Sequence, residues 1–394
     1  MSKLLTLNAG SSSIKFAIFD TERGRLVEEP SARGSLSDLD GDATFSAGGT
    51  TVPDGGVTFQ PEVVRDHETA WTFLLGWLDE ALNGAEVIGA GHRVVHGGPD
   101  YAAPVLLDDE VIRRFAALTP LAPGHQPHNL AGVEAMTVLC PLSKQTACFD
   151  TAFHRTQPLI EQMFAIPRKF MDKGVIRYGF HGLSYEYIAD ALADALGNYP
   201  KDRVIVAHLG AGASMCAIAD GKSIATTMGF TALDGLPMAT RCGALDPGVV
   251  LHLLQEKKMR AEDVADCLYN ESGLLGLSGL SGDIRALLAS AEKEADEAIA
   301  HFVRRIVREI GSLAAAMGGV DAIVFTAGVG ENAAYIRDQV LRGCAWLGFS
   351  LDEDANHAGG PRLTTAESAP SAWVIPTNEE LMIARHTFRL IQNV

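Results

Sequence analysis

The sequence predicts an α/β protein made of two similar domains that arose by duplication. Residues 4–20 read LLTLNAGSSSIKFAIFD, two short apolar runs (4–7 and 14–19) around the small-residue turn Asn8-Ala9-Gly10-Ser11-Ser12-Ser13. That is the pattern of two buried strands joined by a polar turn. Residues 204–225, VIVAHLGAGASMCAIADGKSIA, repeat the plan: strand, small-residue turn (Gly210 to Ser214), strand, Asp220-Gly221 turn, strand. In the first copy the second turn falls at 20–24 and a third strand opens at 25–28. The copies lie about 200 residues apart, and such self-similarity points to two domains that each bring one hairpin to a shared cleft.

Each element has its own justification. The first turn offers backbone N–H groups, the side chains of Asn8, Ser11, Ser12 and Ser13, and the cation Lys15, a cradle the size of a phosphate. It is not a P-loop, because GxxxxGK[ST] is absent. Taken singly it also fits an ordinary hairpin; the second copy tips the balance. Residues 31–60, rich in Gly, Asp and Ser, read as edge hairpins. Residues 61–83 carry Val64, Trp71, Leu74, Leu75, Leu78 and Leu82 at helical spacing, ending at Gly84.

A buried strand at 87–95 contains Arg93, and a buried arginine needs an anion, either a ligand or an internal carboxylate. A helix at 108–118 and a loop at 120–127 precede a helix at 129–139. The strand 144–149 ends at Asp150, where α/β proteins place chemistry, although an Asp there also suits a helix cap. His181, between Phe180 and Gly182, leads into a helix at 185–196; alone it reads as a loop histidine bonded to backbone. The glycine-punctuated stretch 228–248 is too long for an idle loop and too apolar for disorder, and Arg241 is its only cation. A helix opens in 277–285. The stripe along 292–317 is core or subunit interface. The strand 321–325 turns through Gly328 and Gly330 into a helix whose N–H groups suit a nucleotide. At the end, Thr377 as N-cap with Glu380 at N3 makes a capping box, leaving Glu379 to face the cleft.

Composition narrows the function. With 394 residues the chain has room for two or three domains. Its 32 Lys and Arg against 49 Asp and Glu leave a net charge of −17, which excludes nucleic acid and anionic membrane surfaces as partners. A site for anions must then supply its own cations. Six cysteines lack CxxC or zinc spacing and read as reduced. With no signal pattern and no spanning apolar stretch, a soluble cytoplasmic protein is expected.

The blocks NAGSSSIKF (8–16), GHRVVHGG (91–98), DTAFH (150–154), RYGFHG (177–182), HLGAGAS (208–214), MATRCGALDPG (238–248), SGLSGDIR (278–285), FTAGVGEN (325–332) and IPTNEE (375–380) resemble, in order and across the chain, the acetokinase family of the acetate and sugar kinase, Hsp70 and actin superfamily. The resemblance implies two RNase H-like domains, 1–150 and 151–377, with an active site in the interdomain cleft. The last helix, about 378–394, packs back on the first domain. It further implies a homodimer and direct in-line phosphoryl transfer between ATP and acetate, giving acetyl phosphate and ADP, with Mg²⁺ or Mn²⁺.

Residue by residue, the resemblance makes Asp150, His181, Arg241 and Arg93 catalytic. The two arginines serve the acyl carboxylate and the transferring phosphoryl group, and His181 the transition state. Arg93, Val95, Gly124, His125, Phe180 and Pro237 line the acyl pocket. ATP is taken by Lys15, Ser11 and Ser13, by His208, Leu209, Gly210, Ala211 and Gly212, by Asp283, Ile284 and Arg285, and by Gly328, Val329, Gly330, Glu331 and Asn332. Asn8 and Glu379 are the metal ligands.

Some positions depart from the family pattern. Ala211 replaces an Asn, removing a donor near the phosphates; Gly124 replaces a bulkier apolar residue, widening the pocket toward propionate or butyrate. Ala239, Cys242 and Ala244 stand around Arg241 in place of Gly, Ser and Asp, and Leu183 and Tyr185 stand in place of Thr and His. The alternatives are a propionate or butyrate kinase and, from another class, an actin- or Hsp70-like ATP-binding module that turns nothing over.

Overall fold

The computed structural model describes residues 2–10, 13–39, 42–50, 52, 55–58, 64, 66–121, 125–196 and 203–393. The chain divides into two compact units, residues 1–153 with 378–394, and residues 154–377.

The first unit is built on a sheet of β1 (Ser2–Ala9), β2 (Ser13–Glu22), β3 (Arg25–Leu26), β4 (Ala32–Ser37), β5 (Thr44–Gly48), β6 (Gly55–Thr58), β7 (Val87–Val94), β8 (Val105–Leu106) and β9 (Lys144–Phe149). The order is β6-β5-β4-β2-β1-β7-β9-β8, with β3 paired to β2. β1 and β2 form the antiparallel hairpin, which sets Asn8 opposite Lys15. β7 runs parallel to β1, and β9 parallel to β7.

Both faces of this sheet are covered, which is why Leu4, Leu5 and Leu7 of β1 are apolar on both sides of the strand. Leu5, Leu7, Ile14, Phe16 and Ala90 pack with Trp71, Leu74 and Leu78 of the helix His67–Leu82 and Met136 of the helix Gln126–Leu139. On the other face lies the C-terminal helix Glu379–Gln392. A Cβ on Gly91 would meet Thr387 Oγ1 at 2.2 Å and Ile383 Cγ2 at 2.5 Å, so only glycine lets the helix approach β7 this closely. Thr387 Oγ1 lies 2.7 Å from Thr146 Oγ1 on β9.

The second unit holds β10 (Val204–Leu209), β11 (Ala213–Ala219), β12 (Lys222–Thr226), β13 (Ala322–Thr326) and β14 (Ser371–Val374), in the order β12-β11-β10-β13-β14. β10 pairs antiparallel with β11 and parallel with β13, which is parallel to β14. The path β4-β2-β1-β7-β9 of the first unit has the same order and the same directions. The repeat seen in the sequence is therefore a repeat of topology. Ala295, Ile299, Phe302, Ile306, Ile310 and Leu313 of the helix Lys293–Met317 are buried against this sheet. Among the described residues no helix is long and apolar enough to cross a membrane.

Local readings need correction at five points, the first being the helix expected at 129–139, which starts at Gln126. The third strand expected at 25–28 is only the two-residue β3; the counterpart of β12 is β4, which pairs with β2 over six residues. The helix expected over 61–83 runs from His67, capped by Asp66 and Thr69, and the one expected from 185 starts at Gly182. Thr377 is not the last N-cap. Asn378 is, its Oδ1 accepting from Leu381 N at 3.0 Å, so Glu380 falls at N2 and completes no capping box.

Candidate active site

In the first unit four polar side chains meet where the parallel strands β1, β7 and β9 end. Asn8 and Arg93 each lie one residue before the end of their strands, β1 and β7, Asp150 follows β9, and Glu379 opens the C-terminal helix. Arg93 Nε and Nη2 donate to Asp150 Oδ1 and Oδ2 at 2.8 and 2.5 Å, and its Nη1 donates to Asn8 Oδ1 at 2.9 Å. Asn8 Nδ2 in turn donates to Glu379 Oε2 at 3.2 Å. Asp150 is 1 % exposed and Arg93 14 %.

The two residues account for each other. Asp150 caps no helix; it takes one edge of a guanidinium. The anion that compensates Arg93 is an internal carboxylate. A guanidinium has five N–H donors; three are used here, and among the described residues the second hydrogens of Nη1 and Nη2 have no partner.

Burial disfavours the Arg93 charge, but Asp150, and behind it Glu379 and Glu380, more than offset this and raise its pKa. Burial pushes Glu379 up to about 7, reinforced by Asp150 and Glu380 and opposed by Arg93 and Lys15. Two further side chains hold the scaffold. Asn129 accepts from Val95 N at 2.9 Å and donates to Ala9 O at 2.6 Å, tying the exits of β7 and β1 together. Gly97 N donates to Thr151 Oγ1 at 3.2 Å. Val95 is buried, and His125 stands at the N-cap of the helix Gln126–Leu139. Ser11 and Gly124 lie outside the described residues; Ser13 accepts from Gly10 N at 2.8 Å through its carbonyl.

In the second unit the counterpart of that strand end gathers His181, His208 and Arg241. His208 is the penultimate residue of β10, Leu209 ends the strand, and the turn Gly210-Ala211-Gly212 follows. A Cβ on Gly212 would sit 3.4 Å from His181 Nε2 and 3.5 Å from Arg241 Nη2, so both cation-capable groups flank this turn. Arg241 Nη1 donates to Ala232 O at 2.8 Å. His181 lies in the left-handed region (φ 58°), a conformation that non-glycine residues keep mainly at functional sites. Its ring stacks on His208 at 4.1 Å, and its Nδ1 lies 2.8 Å from Ser214 Oγ. Gly179 (φ 74°) before it leaves no room for a Cβ, which would meet the His154 ring at 2.6 Å. Phe180 and Pro237 are buried nearby in the chain.

Two other segments expected to take nucleotide adjoin the same turn. Ala239 N donates to Ala211 O at 3.1 Å, and a Cβ on Gly282 would touch Ala239 O at 2.7 Å, which brings Asp283, Ile284 and Arg285 alongside. Asp283 caps the helix Ile284–Ala289 and pairs with Arg285, whose side chain is 91 % exposed. Thr326 pairs with His208 across β13 and β10, and the helix Ala327–Asn332 carries Gly328, Val329, Gly330, Glu331 and Asn332. Glu331 Oε1 accepts from Ala327 N at 2.8 Å and Thr377 N at 3.3 Å, a structural duty for the carboxylate.

The residues that sequence reading passed over are Asn129, Ser184 and Ser214. Asn129 opens the helix expected at 129–139, where an amide passes for an ordinary cap. The two serines carried no signal that distinguishes them from turn residues.

The acetokinase family model matches residues 3–385. The chain belongs to the acetokinase family. Acetate kinase of Methylocella silvestris is 52% identical over 99% of this chain and 98% of its own, and acetate kinase of Rhodopseudomonas palustris is 52% identical over 98% of each. The crystal structure of Porphyromonas gingivalis acetate kinase superposes with a TM-score of 0.84 at 35% identity, covering 99% of this chain and 100% of that one. A propionate kinase from Francisella tularensis gives 0.89 at 33%, with the same coverage. Membership brings the actin-like ATPase fold of two domains, in keeping with the repeated strand order.

Asn8, Asp150 and Glu379 of this acetokinase offer amide and carboxylate oxygens, the donors that Mg²⁺ takes. The displaced pKa of Glu379 marks a buried carboxylate whose charge a cation would offset. Among the described residues no group of three or more His, Cys, Asp or Glu side chains is arranged to hold a metal.

Proposed function

We propose that this chain transfers the γ-phosphoryl group of ATP to acetate, reversibly and in line, giving acetyl phosphate and ADP. The observation that carries it is the Arg93–Asp150–Asn8–Glu379 cluster at the strand ends, in a chain half identical to relatives named acetate kinase. An ATP-binding module without turnover has no use for a buried arginine held with two donors spare.

The chemistry asks for positioning and charge neutralisation more than for covalent catalysis. Acetate is ionised at neutral pH, as side-chain carboxylates are, so no base is required to make the nucleophile. Arg93, oriented by Asp150 and Asn8, presents its two remaining N–H groups to an anionic oxygen. Arg241 and His181 flank the Gly212 turn and serve the oxygens of the transferring group. We assign the choice of acyl group to Val95, His125, Phe180 and Pro237, with Gly124, as the family resemblance implies; one methylene is worth about 1–3 kcal/mol in such a site, so propionate is a slower substrate and not an excluded one. Lys15, Ser11, Ser13 and the turns at 208–212, 283–285 and 328–332 take ATP through backbone N–H groups and side-chain donors. Asn8 and Glu379, with Asp150 close by, would hold Mg²⁺, whose positive charge would offset the charge of the phosphate groups.

We further assign the chain to the cytoplasm, as a homodimer. Its six cysteines are free, and Leu159, Ile160, Met163, Ile166 and Phe170 expose a run of apolar side chains that suits a second copy.

The test is a hydroxylamine trap for acyl phosphate with Mg-ATP and acids of two to four carbons. Acetate should give the highest kcat/KM. Absence of acid-dependent hydroxamate would remove the proposal.

A further inference from the structure

Behind His181 lies a chain of hydroxyls that phosphoryl transfer does not itself employ. Tyr185 is fully buried on the helix Gly182–Leu196, and its hydroxyl lies 2.5 Å from Ser214 Oγ. Ser214, also fully buried on β11, lies 2.8 Å from His181 Nδ1. We infer that Tyr185, acting through Ser214, is a positioning residue that fixes His181 as the Nε2–H tautomer, with its one ring proton toward the Gly212 turn. What that proton does there rests on the phosphoryl-transfer reading; the tautomer does not.

The direction of the chain follows from counting hydrogens. A serine hydroxyl has one hydrogen to give, and a phenol likewise. If Tyr185 donates to Ser214, the serine hydrogen goes to His181 Nδ1, because a serine that accepted from both neighbours would leave its own buried hydrogen with no partner among the described residues; Nδ1 then accepts, and the neutral ring carries its proton on Nε2. In the reverse direction Tyr185 would accept from Ser214, and its own buried hydrogen would have no partner, since its only hydrogen bond among the described residues is to Ser214. An orphaned buried donor is the more costly arrangement. A phenol is also a stronger acid than an alcohol and the better donor, and burial keeps it protonated by raising its pKa well above the ordinary value.

The ring is fixed in its other degree of freedom too. His181 stacks on His208 with 14° between the planes, and His208 is held by its own serine, with Nδ1 2.8 Å from Ser184 Oγ. One serine thus sets the rotation of each imidazole while the stack sets the plane. His181 Nε2 then stands beside Arg241 Nη2 as a second donor at the Gly212 turn. Tyr185 is the tail of this chain, and a phenylalanine there would fill nearly the same space without the hydrogen.

The experiment reads the tautomer directly, by long-range ¹H–¹⁵N correlation of protein labelled with ¹⁵N-histidine, His181 being assigned by loss of its signals in His181→Gln. The wild-type protein should show Nε2 protonated and Nδ1 bare. Tyr185→Phe should mix the two tautomers and lower kcat about tenfold, the worth of one neutral hydrogen bond, while KM for ATP and acetate changes less than threefold. In a Ser214→Ala background, Tyr185→Phe should cost nothing further. A wild-type His181 protonated on Nδ1 would overturn the inference, as would a Tyr185→Phe cost that is equal in both backgrounds. Should Tyr185→Phe fail to fold, the wild-type spectrum decides alone. Because that spectrum is taken without substrates, it stands even if acetate-dependent turnover is absent, which would count only against the functional reading.

Discussion

Asp150 grips Arg93 along one edge: its two oxygens accept from Nε and Nη2 at 2.8 and 2.5 Å, while Nη1 turns to Asn8. The pair is the scaffold on which the rest of the strand-end cluster hangs. Breaking a buried ion pair leaves an uncompensated charge and costs about 3–5 kcal/mol. Asp150→Ala should therefore lower the unfolding free energy by roughly that amount in urea titrations. It should also reduce acetyl phosphate formation by about two decades or more, because the guanidinium loses its orientation. A variant with full stability would show that Asp150 does not hold Arg93.

Glu379 tests the metal assignment. Replacing it with Gln keeps the side-chain volume and the bond from Asn8 but removes a charge. Tuning of metal ligation is commonly worth 10- to 100-fold in affinity, so Glu379→Gln should raise the Mg²⁺ concentration for half-maximal turnover about tenfold or more. The same Mg²⁺ dependence in variant and parent would place the metal elsewhere.

His92, buried beside Arg93, gives a pH dependence. Burial pulls its imidazole down to about 4, against which the bond to Gln145 works the other way. The ring is neutral in the folded chain but titrates near 6.5 when unfolded. Unfolding therefore takes up a proton between those values. The contribution is full above pH 6.5 and is lost as pH falls toward 4, amounting to about 3 kcal/mol over that window. Thermal unfolding from pH 7 to 4.5 should show His92→Gln losing less stability on acidification than the parent, by up to one proton of slope. Parallel curves would contradict the assignment.

Gly91 gives a purely packing prediction. Gly91→Ala would force a Cβ onto Thr387 and Ile383, and overpacking of that kind costs about 1–3 kcal/mol. Urea denaturation should detect it. An unchanged midpoint would mean that the C-terminal helix is free to shift.

The strand-turn-strand repeat was legible because apolar runs of strand length flank glycine turns in both halves, and Asp220-Gly221 sits where a hairpin needs two left-handed residues; φ is 50° and 71° there. Arg93 and Asp150 were each legible as residues that needed an explanation. Their mutual bond was not, because the register that sets Arg93 beside Cys148 is a property of the sheet and not of either segment. The Thr377 capping box failed for a local reason: Asn378, one residue later, is as good a cap, and Thr377 N is taken by Glu331. Tyr185 and Ser214 sit 29 residues apart, too far for any spacing rule to join them.

The most direct measurement is single-turnover formation of acetyl phosphate by Arg241→Ala, with KM for ATP and acetate determined alongside. If two guanidinium groups hold two mutually repelling anions together, the phosphoryl-transfer rate should fall by about three to five decades, as on loss of an arginine finger, and should fall further than binding does. A rate within a few-fold of the parent would contradict the account.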